Sequence, residues 1–516
     1  MRNQLARLSH RFPAAVVRHS DVAKRSVARR TPDGSLNLVE AAPVRASGRC
    51  GVPLRLFDAL ATKIGETSGL ALIGITISIS SLCLPLIARA DEPSLLYYEF
   101  TLSLKGSRLD NLSLGEDPEL DRLVTEEYEL ELDLEYALSE RSYLFLNASL
   151  YADRDTVKPA DDRDSESGIE RKQMGYARAF GENQNTQAKI GRLEFVSQSE
   201  WWIWWDQELD AVSLESHVGG LNGLLAIAEE VAPETTAYDY IYPEQKDVRR
   251  IIASLNWQFT DEQAVVLYYL DQTDNSSSYT LGESVHIDRI DESDADLSWA
   301  GISYIADFEG DSLGELQVEL HYIRVSGHET VYQFDDPEHG RAVVDGIDRQ
   351  RVSGNAQSYF LQWTPAAIGD WSFIAGAARG SGDNDDEDGR DESFWQTGLQ
   401  GDSEVFGELY QPEISNLLVQ TYGVVWNARP NLEIALLGYD YQQLHASEDM
   451  RYASIELDTN GMDRDLGREL DLVFTLGVLE GLELILIAAE FEAGAAYGSR
   501  EGERSHYVSL ELDYTF

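Results

Sequence analysis

Apolar and polar residues alternate one by one over many short stretches of this chain. At its C-terminal end Val508, Leu510, Leu512, Tyr514 and Phe516 alternate with Tyr507, Ser509, Glu511, Asp513 and Thr515. Successive side chains of a β-strand point to opposite faces, so this stretch reads as a strand with one apolar and one polar face. Such a strand closes either a soluble, half-buried sheet or an outer-membrane β-barrel whose apolar face meets lipid and whose polar face meets a wet lumen. The rest of the chain favours the barrel. Tyr98, Phe100, Leu102 and Leu104 alternate with Glu99, Thr101, Ser103 and Lys105. Tyr128, Leu130, Leu132, Leu134 and Tyr136 alternate with Glu127, Glu129, Glu131, Asp133 and Glu135, and Leu316, Val318, Leu320 and Tyr322 with Gln317, Glu319 and His321. Ordinary strands average about five or six residues. A strand that crosses a membrane needs roughly nine to eleven, and these runs reach that length.

The connections alternate as well. Short turns are expected near Ser139–Ser142, Gly181–Thr186, Thr260–Glu262, Phe308–Gly314, Pro365–Asp370, Ala428–Asn431 and Val478–Gly481. Between them the polar, acidic stretches Asp153–Arg171, Ser326–Asn355 and Ser381–Glu413 read as long loops. Short turns on one side and long loops on the other are the arrangement of an outer-membrane barrel. The expected fold is all-β: a transmembrane antiparallel barrel of about 18 strands, wide enough for an aqueous channel. It forms a single domain over residues 91–516.

Charge separates this domain from what precedes it. The chain has 516 residues and a formal net charge of −50, yet residues 1–90 carry 13 Lys/Arg and only 5 Asp/Glu. A basic leader before an acidic body points to a targeting region. Leu70–Ile87 is the one long apolar run; Arg55 and Lys63 precede it, and Ala88-Arg89-Ala90 and Asp91-Glu92-Pro93 follow. This is the order of a secretory signal peptide. The Ala-x-Ala site and the Ser/Thr-diluted run favour it over a membrane anchor, so residues 1–90 are expected to be an N-terminal extension and signal peptide. Both cysteines, Cys50 and Cys83, fall in this leader, as suits an exported Gram-negative envelope protein. The acidic balance argues against nucleic-acid binding.

Enzymatic signatures are missing: there is no Gly-x-Ser-x-Gly elbow, no His-Glu-x-x-His and no phosphate loop. The expectation is that this is not an enzyme and needs no cofactor. Asn384-Asp385-Asp386-Glu387-Asp388-Gly389 resembles the start of a calcium loop, but Trp395 stands where a bidentate Glu is required, so a solvated acidic loop is the simpler reading. Trp201, Trp202, Trp204 and Trp205 form a dense aromatic cluster, suited to an interfacial girdle or to stacking on sugar rings. The Glu127–Glu135 ladder of like charges is tolerable only if solvated or paired across a lumen. Rings of charge in a water-filled conduit set selectivity.

Several segments resemble the alginate-export (AlgE-like) outer-membrane porin family. They are Ala378-Arg379-Gly380-Ser381-Gly382, Gln396-Thr397-Gly398-Leu399, Glu413-Ile414-Ser415-Asn416-Leu417, Leu466-Gly467-Arg468-Glu469-Leu470-Asp471-Leu472-Val473 and Gly494-Ala495-Ala496-Tyr497-Gly498, with Gly191-Arg192 as an earlier match. The resemblance implies a monomeric 18-stranded barrel that passes an acidic polysaccharide through a constricted, basic channel gated by loops or turns and served by a periplasmic secretion scaffold. By motif position it implies Lys105, Arg178, Arg192 and Arg379 as the basic channel residues. One departure stands out. The strand before the last reads Leu484-Ile485-Leu486-Ile487-Ala488-Ala489-Glu490, without the basic residues of the family pattern, which leaves a less acidic polymer open. The reading is a porin of the cell outer membrane that exports an anionic or neutral exopolysaccharide, alginate or a related polymer. A general or cation-preferring diffusion porin is the alternative.

Overall fold

The computed structural model describes residues 95–516, apart from 117–119, 160–161, 198–205, 239, 336–339, 385–387, 400–405, 449 and 456. The leader with its two cysteines and the Trp201, Trp202, Trp204 and Trp205 cluster lie outside the described residues.

Twenty strands follow one another along the chain. The first nine are β1 (Leu96–Asp110), β2 (Leu120–Ser139), β3 (Ser142–Pro159), β4 (Asp162–Phe180), β5 (Thr186–Val196), β6 (Asp206–Val218), β7 (Leu221–Glu229), β8 (Val248–Thr260) and β9 (Gln263–Asp274). Then come β10 (Ser284–His286), β11 (Ser293–Gly310), β12 (Gly314–Phe334), β13 (Arg341–Thr364), β14 (Trp371–Gly380) and β15 (Arg390–Asp391). The last five are β16 (Leu417–Arg429), β17 (Leu432–Gln443), β18 (Asp465–Leu479), β19 (Leu482–Ala493) and β20 (Arg504–Thr515). The two shortest, β10 and β15, stand apart from the wall, because β9 pairs directly with β11 and β14 with β16. The remaining 18 form a closed antiparallel barrel, each paired with the next, and β20 returns to β1 in the register Thr101↔Thr515 to Asp110↔His506. Closure leaves no open edge, so every backbone donor and acceptor in the lipid layer is met by a neighbour.

The alternation seen in the sequence sorts side chains between lipid and lumen. In β20, Val508 and Leu510 are each 49% exposed on the outer face, while Ser505, Tyr507 and Ser509 are buried on the inner one. Phe516 completes the seam. Its N–H donates to the Phe100 carbonyl at 2.9 Å, the Phe100 N–H donates back at 3.2 Å, and the two rings stack at 5.8 Å. Trp257, Phe259, Trp363, Trp371, Phe373 and Trp426 are exposed at the strand ends next to the short turns, with Trp371 and Trp426 stacked at 5.2 Å. This is an interfacial aromatic girdle.

The expected short turns fall between strands as read, and the sequence reading missed one more, at Gly219–Gly220 between β6 and β7. Two expected loops are instead strand. Most of Asp153–Arg171 belongs to β3 and β4, and most of Ser326–Asn355 to β12 and β13. These hairpins run to 24 residues in β13, far more than a bilayer needs. Beyond the lipid both faces can be wetted, so the ladder continues without the strict apolar alternation of a lipid-facing strand and its polar composition imitates a loop.

Candidate functional site: a charge-paired lumen narrowed by inward segments

The acidic ladder of β2 faces inward and is matched by lysines. Lys105 lies opposite Glu127 on one side and Glu511 on the other, and its Nζ is 3.3 Å from a Glu127 oxygen. Lys172 serves the next two rungs, 2.5 Å from Glu129 and 3.1 Å from Glu131. The register of β3 against β4 slips here, from Asn147↔Gln173 to Ala148↔Arg171. Lys172 is therefore the extra residue of a β-bulge, a device that re-aims a side chain. Lower in the barrel Lys189 meets Glu215 at 2.9 Å.

Among the described residues, two of the segments that fold back against the inner wall are held there by its charged side chains. The first follows β7. The Arg171 N–H donates to the Glu234 carbonyl at 2.9 Å and the Thr236 N–H to Ile169 at 3.0 Å, while the Thr235 hydroxyl lies 2.6 Å from the Tyr151 hydroxyl. Arg192, only 1% exposed, clamps this segment by reaching Glu230 at 2.8 Å and Glu234 at 2.6 Å. Gly191, next to it, lets β5 pass close to β4. Its φ is +139°, and a Cβ there would sit 2.0 Å from the Met174 carbonyl oxygen. Burial raises the Glu230 carboxyl to about 6 against the pull of Arg192.

The second segment, Phe406–Ile414, precedes β16. Its backbone is held by two carboxylates of β18. The N–H groups of Leu409 and Tyr410 donate to Glu469 at 2.7 and 2.8 Å, and that of Glu408 to Asp471 at 3.1 Å. Tyr410 stacks on Phe491 of β19 at 4.5 Å, and the Tyr441 hydroxyl donates to the Phe406 carbonyl at 3.0 Å. Gly407 (φ +102°) lets the chain pass the Tyr441 hydroxyl, which a Cβ would meet at 2.5 Å. Around these carboxylates the inner wall carries apolar residues: Leu437, Val473, Ile487 and Phe491 are all buried. Glu408 is carried into this covered region. Burial, with Glu469 and Glu511 nearby and Lys105 opposing, pushes its carboxyl up to about 8.

The four basic residues singled out by motif position do not come together. Lys105 is in the lumen, and Arg192 is buried against the first inward segment. Arg178 shares the parity of Met174 and Phe180, which are exposed on the outer face, and its guanidinium lies 5.5 Å over the Phe180 ring. Arg379 shares the parity of Trp371 and Phe373, also outward, whereas Ile374 and Ala378 between them are buried. Both arginines therefore stand on the outside of the wall, because a strand turns every second residue outward whatever motif it belongs to. Of the calcium-like run, Asp385, Asp386 and Glu387 lie outside the described residues. Trp395 packs under the Arg451 guanidinium at 3.6 Å and donates to Asp391 at 2.6 Å. Among the described residues no group of three His, Cys, Asp or Glu is placed to hold a metal.

The sequence pattern of alginate export proteins, compared with this chain, matches residues 125–511, which include nearly the whole wall and both inward segments. The chain belongs to the alginate export family. It is 24% identical over 361 residues to the alginate production protein AlgE of Azotobacter vinelandii, covering 63% of this chain and 73% of that one. To AlgE of Pseudomonas aeruginosa it is 25% identical over 294 residues, covering 54% and 58%. Among solved structures, OccAB4 of Acinetobacter baumannii superposes with a TM-score of 0.51 at 11% identity, covering 83% of this chain and all of that one. OccK9 of Pseudomonas aeruginosa gives 0.51 at 12% identity, covering 82% and 98%. These two share the barrel fold. As a member of the alginate export family the protein is an outer-membrane channel rather than an enzyme.

Membership also accounts for residues that reading by motif position overlooked. Glu469 and Asp471 sit inside the family-like run Leu466–Val473, and their inward parity was visible from the leucines between them. What they hold is not visible there, because their partners are backbone N–H groups about 60 residues away. The missing basic residues of Leu484–Glu490 have a local reason too: Ile485, Ile487 and Ala489 share the inner face of Phe491, on which Tyr410 stacks.

Proposed function

We propose that this protein is the outer-membrane exit channel for a secreted exopolysaccharide. The observation that carries the reading is the combination of alginate-export family membership with a polar, charge-paired lumen narrowed by two inward-folded segments. A polymer chain moving lengthwise needs a wet, narrow, continuous path lined by groups that exchange hydrogen bonds easily. Paired charges supply such groups without one deep electrostatic trap. Lys105 and Lys172 stand on this path beside the Glu127–Glu135 ladder. One chain closes the whole barrel, so a monomer suffices, and a periplasmic scaffold is the expected source of polymer. Deleting the gene should abolish extracellular polysaccharide while its synthesis continues, with polymer accumulating or being degraded in the periplasm. Unchanged extracellular polymer in the deletion strain would sink the reading and leave a diffusion porin in its place.

A further inference from the structure

The half of the lumen next to the short turns holds a cavity of about 710 Å³. Residues of the β4–β5 turn, Gln184 and Asn185, line it, together with His217 and Asn222 on either side of Gly219–Gly220, so it opens at the end of the barrel where the turns are short and reaches along β5 to Val196. Four carboxylates line it (Asp133, Glu135, Glu194 and Glu215) against the single lysine Lys189, and that lysine is already bound to Glu215 at 2.9 Å. The other lumen cations described above are likewise engaged: Lys105 with Glu127, Lys172 with Glu129 and Glu131, Arg192 with Glu230 and Glu234. An anionic chain entering here meets a surplus of its own sign in a narrow passage, within the roughly 8 Å over which charges still act at physiological salt.

The neutral lining suits a sugar. Asn147 donates its Nδ2 to Glu131 at 2.8 Å, which fixes the amide so that Oδ1 is the atom left over. That oxygen is buried with no hydrogen-bond partner, and so is the hydroxyl of Ser213, a residue only 3% exposed; both residues line the cavity. A buried amide oxygen without a partner takes a donor, such as the hydroxyl or amine of a sugar, so it argues for a glycan here, while the surplus of carboxylates sets the charge preference. Tyr143, Phe145 and Tyr268 add aromatic surface to the same wall.

We propose that this cavity is a glycan subsite that selects a polysaccharide carrying no net negative charge, neutral or amine-bearing, over a polyuronate. The inference rests on the export reading and narrows its substrate. The test is planar-bilayer recording on the protein purified from outer membranes, at about 0.15 M salt so that screening is physiological. Hexamers of one length are added on the short-turn side: maltohexaose, glucosamine hexamer and guluronate hexamer. Current block by the neutral and amine-bearing hexamers is expected at concentrations about tenfold or more below the guluronate hexamer, a difference well above measurement scatter. Ser213→Ala should raise the blocking concentration of maltohexaose, and Glu135→Gln with Glu194→Gln should reduce cation preference in the reversal potential. Arg379→Glu, on the outer face, is the control. Block by guluronate at equal or lower concentration overturns the selectivity while leaving export standing. A pore that no hexamer blocks, or no pore at all, overturns the export reading and this inference with it.

Discussion

Arg192 is the residue whose removal should be felt most in the assembled barrel. Its guanidinium, buried like Glu230, pairs with that carboxylate and with the part-exposed Glu234. Breaking a buried pair from one side leaves uncompensated charge and typically destabilises by about 3–5 kcal/mol. Arg192→Ala should therefore lower the unfolding temperature in detergent markedly and free the segment after β7 for proteolysis. An unchanged melting curve would mean that the clamp does not hold that segment. Arg379 behaves oppositely. Its outward parity predicts that Arg379→Glu leaves ion selectivity as it was, whereas Lys105→Glu, which puts a third carboxylate between Glu127 and Glu511, shifts selectivity toward cations. This parity was legible in the sequence from Trp371-Ser372-Phe373, and assigning roles by motif position concealed it.

At the level of elements, Phe406–Ile414 takes up part of the lumen, seated against the inner wall of β17–β19. Glu408 brings a carboxyl whose pKa rises from an ordinary value near 4.5 to about 8 on insertion. The inserted state therefore binds the proton more tightly than the withdrawn one. Insertion is fully favoured below about pH 4.5, and that preference is lost as pH rises towards 8. Facing it are Glu469 from β18, Glu511 from β20 and Lys105 from β1. Single-channel conductance should thus increase between pH 5 and pH 9, and Glu408→Gln should flatten the rise; a wild-type conductance independent of pH would rule this out. The seam between β1 and β20 is a second element-scale dependency. Deleting Phe516 removes two backbone hydrogen bonds and the stack on Phe100. The expected outcome is less folded protein in the outer membrane, read as lost heat-modifiable mobility on gels, and normal levels would count against it.

Over the whole molecule, cross-strand pairing meets part of the lumen's acidic charge in a chain whose formal net charge is −50. Carboxylates two residues apart along β2 would repel each other on an isolated strand. In the closed wall Lys105 from β1 and Lys172 from β4 come between them. The long polar hairpins beyond the lipid continue the backbone ladders of the wall with a largely polar composition, and for that reason Asp153–Arg171 read as loop. Charge that is spread and matched in this way makes a passage that is wet yet not strongly adhesive, as a moving polymer requires.

The sequence alone determined the class of fold, the position of most turns and the aromatic closure. Each depends on a local rule: side chains alternate along a strand, and turns interrupt the alternation. Tertiary structure decided which carboxylates meet which lysines, since cross-strand register and the bulge at Lys172 are properties of paired strands. It also decided that Phe406–Ile414 turns inward. The acidic stretch around it resembles any solvated loop, and only the facing carboxylates of β18 and the apolar residues on the inner wall of β17–β19 give that backbone a reason to enter the barrel.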